Sequence, residues 1–310
     1  MTNARPAPGG ATIGVALAVA VLAVSCAAIF FRLATPTHPV VMAGTRLTIA
    51  AVVFALPTIR SYRRGTFTGR HARAAVFGGL WYALHFGTWV TSLTLTTVAA
   101  SVTLVTATPI LLGIMALVTG TDRPSPRTWA SLGVVFLGLL VLGVEHGTAT
   151  SRGLLVGDVL ALVGAAAMAG YMLLVRAQGE TLDAIAFSGV AIAVGAVTLM
   201  GWAWVMGVPW EIPSARAGFW ILMAAVVPQL IGHTTLTWSL RHLPPTGVAI
   251  AAVSEPVVST MLGVAILGES VSPVSAVGCG LTLLGVAIFA SGVRRATPGS
   301  PAEDPGMDDT

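Results

Sequence analysis

Ten apolar runs separated by short polar connections fill nearly the whole of this chain, and they leave a soluble fold almost no polar surface. They are Ala11–Leu33, Pro39–Ile59, Ala72–Leu93, Val98–Gly120, Arg127–Gly143, Gly153–Val175, Ala184–Met206, Ala217–Leu240, Thr246–Leu267 and Ser272–Val293. A helix rising ~1.5 Å per residue crosses a hydrocarbon core of ~30 Å in about 20 residues. Most of the runs reach that length, and Arg127–Gly143 is the short one. Hydrophobic residues make up 55% of the 310 and charged residues 9%, against about 25% charged in a soluble domain. The expectation is an all-α membrane protein with ten transmembrane helices.

The first run carries Ala23-Val24-Ser25-Cys26, a faint likeness to a lipoprotein cleavage site. It lacks the usual Leu three residues before the Cys, and the apolar run continues to Phe31, so a retained first helix is the reading. Cys26 and Cys279 lie inside apolar runs with no metal-ligand spacing around them, which argues against a disulfide or a zinc site. No metal and no cofactor is expected.

The ninth run, extended to Gly268, breaks two rules at one point. Glu255 sets a carboxylate at bilayer depth, and Pro256 beside it removes a helical hydrogen bond. The run also has an image. A shift of 147 residues lays Pro256 on Pro109, Glu269 on Asp122, Pro273 on Pro126, Gly280 on Gly133 and Gly285 on Gly138, without a gap. Pro109 and Pro256 are therefore read as helix breaks in two copies of one unit. Repeats with a broken helix in each copy are a transporter signature. The units are taken as residues 11–143 and 153–293, joined by a linker over 144–152 and flanked by polar tails at 1–10 and 294–310.

Five helices per unit is an odd number, so the second copy must cross the membrane in the opposite sense. The basic residues agree. All 16 are Arg. With the amino terminus inside, Arg5, Arg60, Arg63, Arg64, Arg70, Arg73, Arg123, Arg127, Arg176, Arg241, Arg294 and Arg295 fall on the inner side. Only Arg32, Arg152 and Arg216 fall outside. That positive-inside bias makes both termini cytoplasmic, in the cell's inner membrane. The same scatter over loops excludes a nucleic-acid face.

The Glu255-Pro256 pair, the Leu267-Gly268-Glu269 turn twelve residues on, the Gly-rich last helix (Gly278, Gly280, Gly285) and Gly157-Asp158 at the start of the second unit resemble the EamA-type drug/metabolite transporter superfamily. The likeness covers roughly residues 11–293. It implies ten helices, cytoplasmic termini, and a central cavity lined by helices 1, 3, 4, 6, 8 and 9, in proteins that mostly export amino acids, drugs or other small metabolites. Asp122-Arg123 in the first unit, where the second has Glu269-Ser270, departs from that pattern.

Two polar stripes are candidates for a substrate cavity. Tyr82, His85, Trp89 and Ser92 share one face of helix 3, and Gln229, His233 and Thr237 share one face of helix 8. His233 falls within one residue of the image of His85, and Thr108 is the image of Glu255. The alternative is that these histidines bond neighbouring helices and the aromatics fill packing. Glu255 must face a cavity, pair with a cation or stay protonated, which nominates it for proton or charge coupling. Arg46, deep in helix 2, is read as snorkelling or structurally paired rather than as a carboxylate receptor. Arg32 and Arg176 are read as interface anchors, Asp158 as a helix-terminal group and Glu269 as a turn residue. Gly133, Gly138, Gly280 and Gly285 are read as sites of close helix approach.

The function expected is a secondary transporter, a proton-coupled exporter of a small metabolite or amino acid, whose partners are its small-molecule substrate and the lipid bilayer. The chain lacks a Walker-type loop and has no Lys, which excludes direct ATP hydrolysis. A lipid-carrier flippase on the same fold and an intramembrane enzyme are the alternatives. The enzyme lacks a Gly-x-Ser-x-Gly elbow and an aspartate-rich metal motif.

Overall fold

The computed structural model of the chain describes residues 9–95, 101, 104–119, 125–144, 152–179, 182–268 and 271–293. All the regular elements among them are helices. These are α1 (Gly10–Leu33), α2 (Pro39–Arg63), α3 (Gly69–Leu95), α4 (Thr108–Thr119), α5 (Pro126–Val144), α6 (Arg152–Arg176), α7 (Ala184–Val205), α8 (Ala215–Ser239), α9 (Pro245–Ala252), α10 (Glu255–Leu267) and α11 (Pro273–Val293). Among the described residues, six spans are long and apolar enough to cross a membrane: α1, α2, Leu155–Arg176 of α6, α7, α8, and the stretch Pro245–Ile266 that holds α9 and α10. Most of the 144–152 linker, residues 1–8 of the amino-terminal tail, the 294–310 tail, Asp122, Arg123 and Glu269 lie outside the described residues.

The helices start where the local chemistry supplies their free N–H groups with acceptors. Asp183 Oδ1 accepts from Ala186 N at 3.1 Å at the head of α7, while Oδ2 accepts from Ser61 Oγ and ties α7 to the end of α2. Ser214 Oγ accepts from Ala217 N at 3.1 Å at the head of α8. The end of α10 needs a left-handed residue, and Gly268 supplies it at φ +67°. Arg176, read as an interface anchor, also ties two helix ends together. Its Nη1 donates to the carbonyls of Leu240 and Arg241, at 3.4 and 3.0 Å, and so closes the C-terminal end of α8.

Because lipid is as apolar as leucine, helix association rests on close packing and small residues rather than on hydrophobic sorting. The outward faces show this: Val52, Val118 and Val197 are 72%, 82% and 71% exposed. Inside, α3 packs along α6 and α7, α2 along α7, α5 along α11, and α1 against α8 and α10. Gly79 brings α3 onto α7 so closely that a Cβ there would lie 2.7 Å from the Ala191 carbonyl oxygen. Of the four glycines read as close-approach sites, two are. A Cβ on Gly138 would lie 2.6 Å from Thr282 N, and one on Gly285 would lie 2.6 Å from Val135 Cγ2. Gly133 and Gly280 face open space instead, because they sit on faces of α5 and α11 turned away from the contact.

Candidate functional site

Two helix interruptions place the site. The ninth apolar run does not continue through Glu255. It stops at Ala252, turns at Val253 and Ser254, and restarts as α10 with Glu255 first and Pro256 second. Proline fits the opening turn of a helix, where its missing N–H has no partner to lose. In the fourth run, a turn at 106–107 likewise precedes α4, with Thr108 first and Pro109 second. Thr108 Oγ1 donates to the carbonyls of Val105 and Ala165 at 3.0 and 3.3 Å, which joins this break to α6.

Both breaks border one cavity of about 80 Å³. Its wall holds His85, Phe86 and Trp89 from α3, His233 from α8, Thr108, Pro109 and Glu255 at the breaks, Met168 and Met172 from α6, Val24 and Ala27 from α1, and Arg46 from α2. A water needs roughly 10–15 Å³ of such volume, so the space suits a small solute rather than a bulky one.

Inside the wall, His85 Nδ1 lies 2.9 Å from the Gly164 carbonyl oxygen. A carbonyl only accepts, so Nδ1 carries the proton, and Nε2 of the neutral ring is left as an acceptor. The His85 ring stacks on Trp89 with centroids 6.0 Å apart and planes at 19°. His233 meets Phe86 edge-on at 5.5 Å. Trp89 also packs near Phe31 at 6.3 Å, so it is both cavity wall and core.

The two sequence stripes therefore divide. His85, Trp89, Thr108, Pro109, His233 and Glu255 border the cavity. Tyr82, Gln229, Thr237 and Pro256 do not. Tyr82 lies one turn back from His85 and packs edge-on against Tyr171 at 4.4 Å. Tyr171 Oη in turn shares a 2.8 Å hydrogen bond with Thr237 Oγ1, and Gln229 is wholly buried beside Tyr82. These groups form a second polar layer next to the cavity. Ser92 belongs to neither, since it bonds Ser101. Ala225–His233 is π-helical, with Thr234 Oγ1 reaching back five residues to the Gln229 carbonyl, and this shifts Gln229 relative to His233. Pro228 lies in that stretch and has no N–H to donate, which loosens the four-residue ladder that the stripe assumed.

Arg46 is the residue whose reading changes most. It does not snorkel: its exposure is 0%, and Nε, Nη1 and Nη2 have no hydrogen-bond partner. The guanidinium lies between the rings of Phe31 and Phe86, at 5.3 and 4.3 Å from their centroids, and its charge interacts with Glu255. Phe86 was also passed over, although at ~100° per residue it falls on the same face as His85 and Trp89. A search for polar groups skips a ring of that kind.

Residues 155–291 match the model of the EamA-like transporter family. A curated relative, the uncharacterized transporter YwfM of Bacillus subtilis (strain 168), is 24% identical over 187 residues, 60% of this chain and 62% of that protein. The match thus spans less than two thirds of the relative's length. Over residues 155–291 the chain is similar to the EamA-like transporter family. A solved crystal structure of a protein adds the fold, with a TM-score of 0.77 at 18% identity, over 93% of this chain and 99% of that one. Its apolar spans make the chain a multi-pass membrane protein, similar in its second half to a transporter family.

Proposed function

We propose that this EamA-type protein is a secondary transporter that exports a small metabolite or amino acid through the central cavity. Two five-helix repeats of opposite orientation alternate access to it, and protonation of Glu255 is coupled to the cycle. The observation that carries the reading is the pair of matched breaks: Thr108 and Glu255, related by the 147-residue shift, each open a half-helix at the same cavity. The packing is consistent with two related units. The shift turns the Gly138–Thr282 contact into the Gly285–Val135 contact, and α3 on α6 into α8 on α1. Amino acids suit the modest cavity and its mixture of charge, imidazole and aromatic ring.

The reading is tested with purified protein in sealed vesicles and a panel of metabolites. Solute movement that requires the sealed membrane and responds to a pH gradient is expected. Turnover of a substrate in detergent alone would make the protein an enzyme, and competition by lipid head groups would make it a flippase. Orientation is tested separately. Reporters at Gly65 and the carboxyl terminus are expected in the cytoplasm and those at Ala149 and Glu211 outside. Gly65 and Ala149 on the same side would rule out the inverted pair of five-helix units.

Trp89 offers a third test. Trp89→Ala is expected to weaken apparent substrate affinity and, because the ring also packs against the Phe31 neighbourhood, to lower stability by about 3 kcal/mol. Trp89→Phe retains most of the packing and should recover stability more fully than affinity. Unchanged affinity in both variants would remove Trp89 from the substrate site.

A further inference from the structure

Arg46 poses a problem that the transporter reading leaves open. A guanidinium offers five N–H donors and stays charged, so burying it without an acceptor is costly. Here all three nitrogens lack a hydrogen-bond partner, exposure is 0%, and two aromatic faces enclose the group. Glu255 shares the cavity wall, yet its carboxylate is not within hydrogen-bonding distance of any Arg46 nitrogen. Cation–π contacts offset part of the desolvation but supply no acceptor. Arg46 is thus a preformed fork, held by Phe31 and Phe86, with its hydrogen-bonding capacity unspent.

We infer that Arg46 is the receptor for a carboxylate on the transported molecule, and that this carboxylate and ionised Glu255 are mutually exclusive counter-charges for it. The inference rests on the transporter reading and deepens it. A planar carboxylate matches the guanidinium fork bidentately. In the state seen, the nitrogens are closed off from water, so the anion reaches them when the Phe86 ring, 4.3 Å away, turns aside. With Glu255 ionised, an entering anion meets a like charge in the same small space. Once Glu255 takes up a proton, the arginine has no anionic neighbour among the described residues of the cavity wall, and the substrate carboxylate takes that place. Proton and anionic substrate then bind together rather than in competition. The other ionisable groups facing this space are His85 on α3 and His233 on α8, with the phenols of Tyr82 and Tyr171 in the layer beyond. Of the helices packed on α10, α1 brings the Cys26 thiol and α11 the Cys279 thiol.

The test is binding of trifluoroacetate, which stays ionised throughout, to purified protein in detergent at constant ionic strength. Quenching of tryptophan fluorescence is the readout, and trifluoroacetamide is the neutral control. The parent protein is expected to bind the anion about tenfold more tightly near pH 5.5 than near pH 8, and the amide not at all. Glu255→Gln should bind at the tight value across that range. Arg46→Gln should lose binding at least about tenfold, and Arg46→Lys, a point charge without the fork, should fall between. A pH profile in Glu255→Gln as steep as the parent's would assign the effect to His85 or His233 and overturn the exclusion. Equal binding by Arg46→Gln, or none by the parent, would overturn the receptor. If Arg46→Gln does not fold, Arg46→Lys decides, and parental affinity there counts against the fork. These results need no vesicle, so a failure of transport remains distinguishable from a failure of this inference.

Discussion

Glu255→Gln is expected to insert and fold like the parent while losing gradient-driven transport or its pH dependence. Glu255 lies roughly nine residues into the apolar run that begins at Thr246, or ~14 Å at 1.5 Å per residue, close to the middle of a ~30 Å core. A carboxylate facing lipid at that depth costs at least about 2.5–3.5 kcal/mol. The structure gives it a different setting, as the first residue of α10 on the wall of a cavity that also holds Arg46. A purely structural role would have Glu255 capping the backbone groups freed by the break. No side chain caps the start of α10, and among the described residues no hydrogen bond joins the Glu255 carboxylate to those groups. Glutamine preserves the size and most of the hydrogen-bonding capacity but cannot titrate. Uptake or efflux is measured in sealed vesicles from about pH 5.5 to about pH 8. Parental transport by the Gln variant over that whole range would leave Glu255 a structural residue.

Gly79→Val is expected to cost about 3 kcal/mol or more and to lower the melting temperature in detergent by at least about 5 °C. The added Cβ would lie 2.5 Å from Val194 Cβ and 2.7 Å from the Ala191 carbonyl oxygen. The second contact is helix backbone, which cannot move aside as a flexible side chain can. α3 and α7 would have to separate, and α3 carries His85, Phe86 and Trp89 of the cavity wall. Gly133→Val and Gly280→Val serve as controls, since nothing lies within 4 Å of the Cβ at either position. A melting temperature for Gly79→Val equal to those of the controls would mean that α3 and α7 are not held at this distance in solution.

The difference between these glycines marks where sequence reasoning stops. All four positions used as close-approach sites carry the same residue and the same 147-residue relation, and only the partner helix separates Gly138 and Gly285 from Gly133 and Gly280. The polar stripes show the same limit. Spacings of three and four group His85 with Trp89, which share the cavity wall, and group Gln229 and Thr237 with His233, whereas of those three only His233 lies on that wall; between Gln229 and His233 a π-helical stretch breaks the assumed spacing.

What the sequence determined by itself was the class of solvent and the places where helices had to break. Apolar runs of bilayer length require helices, because backbone groups in hydrocarbon have no partner but their own chain. Pro109 and Pro256 mark the breaks because a proline lacks the N–H that a continuing helix would use. Both conclusions depend on local chemistry along one segment. Only the tertiary structure decided that Thr108, Glu255 and Arg46 border one cavity, and that Arg46 is enclosed by Phe31 and Phe86 rather than reaching for the interface. An arginine seven residues into a helix can snorkel, pair or wait unpaired with equal local propriety. Which of these it does is set by the side chains that neighbouring helices place around it, and those come from residues 31, 86 and 255.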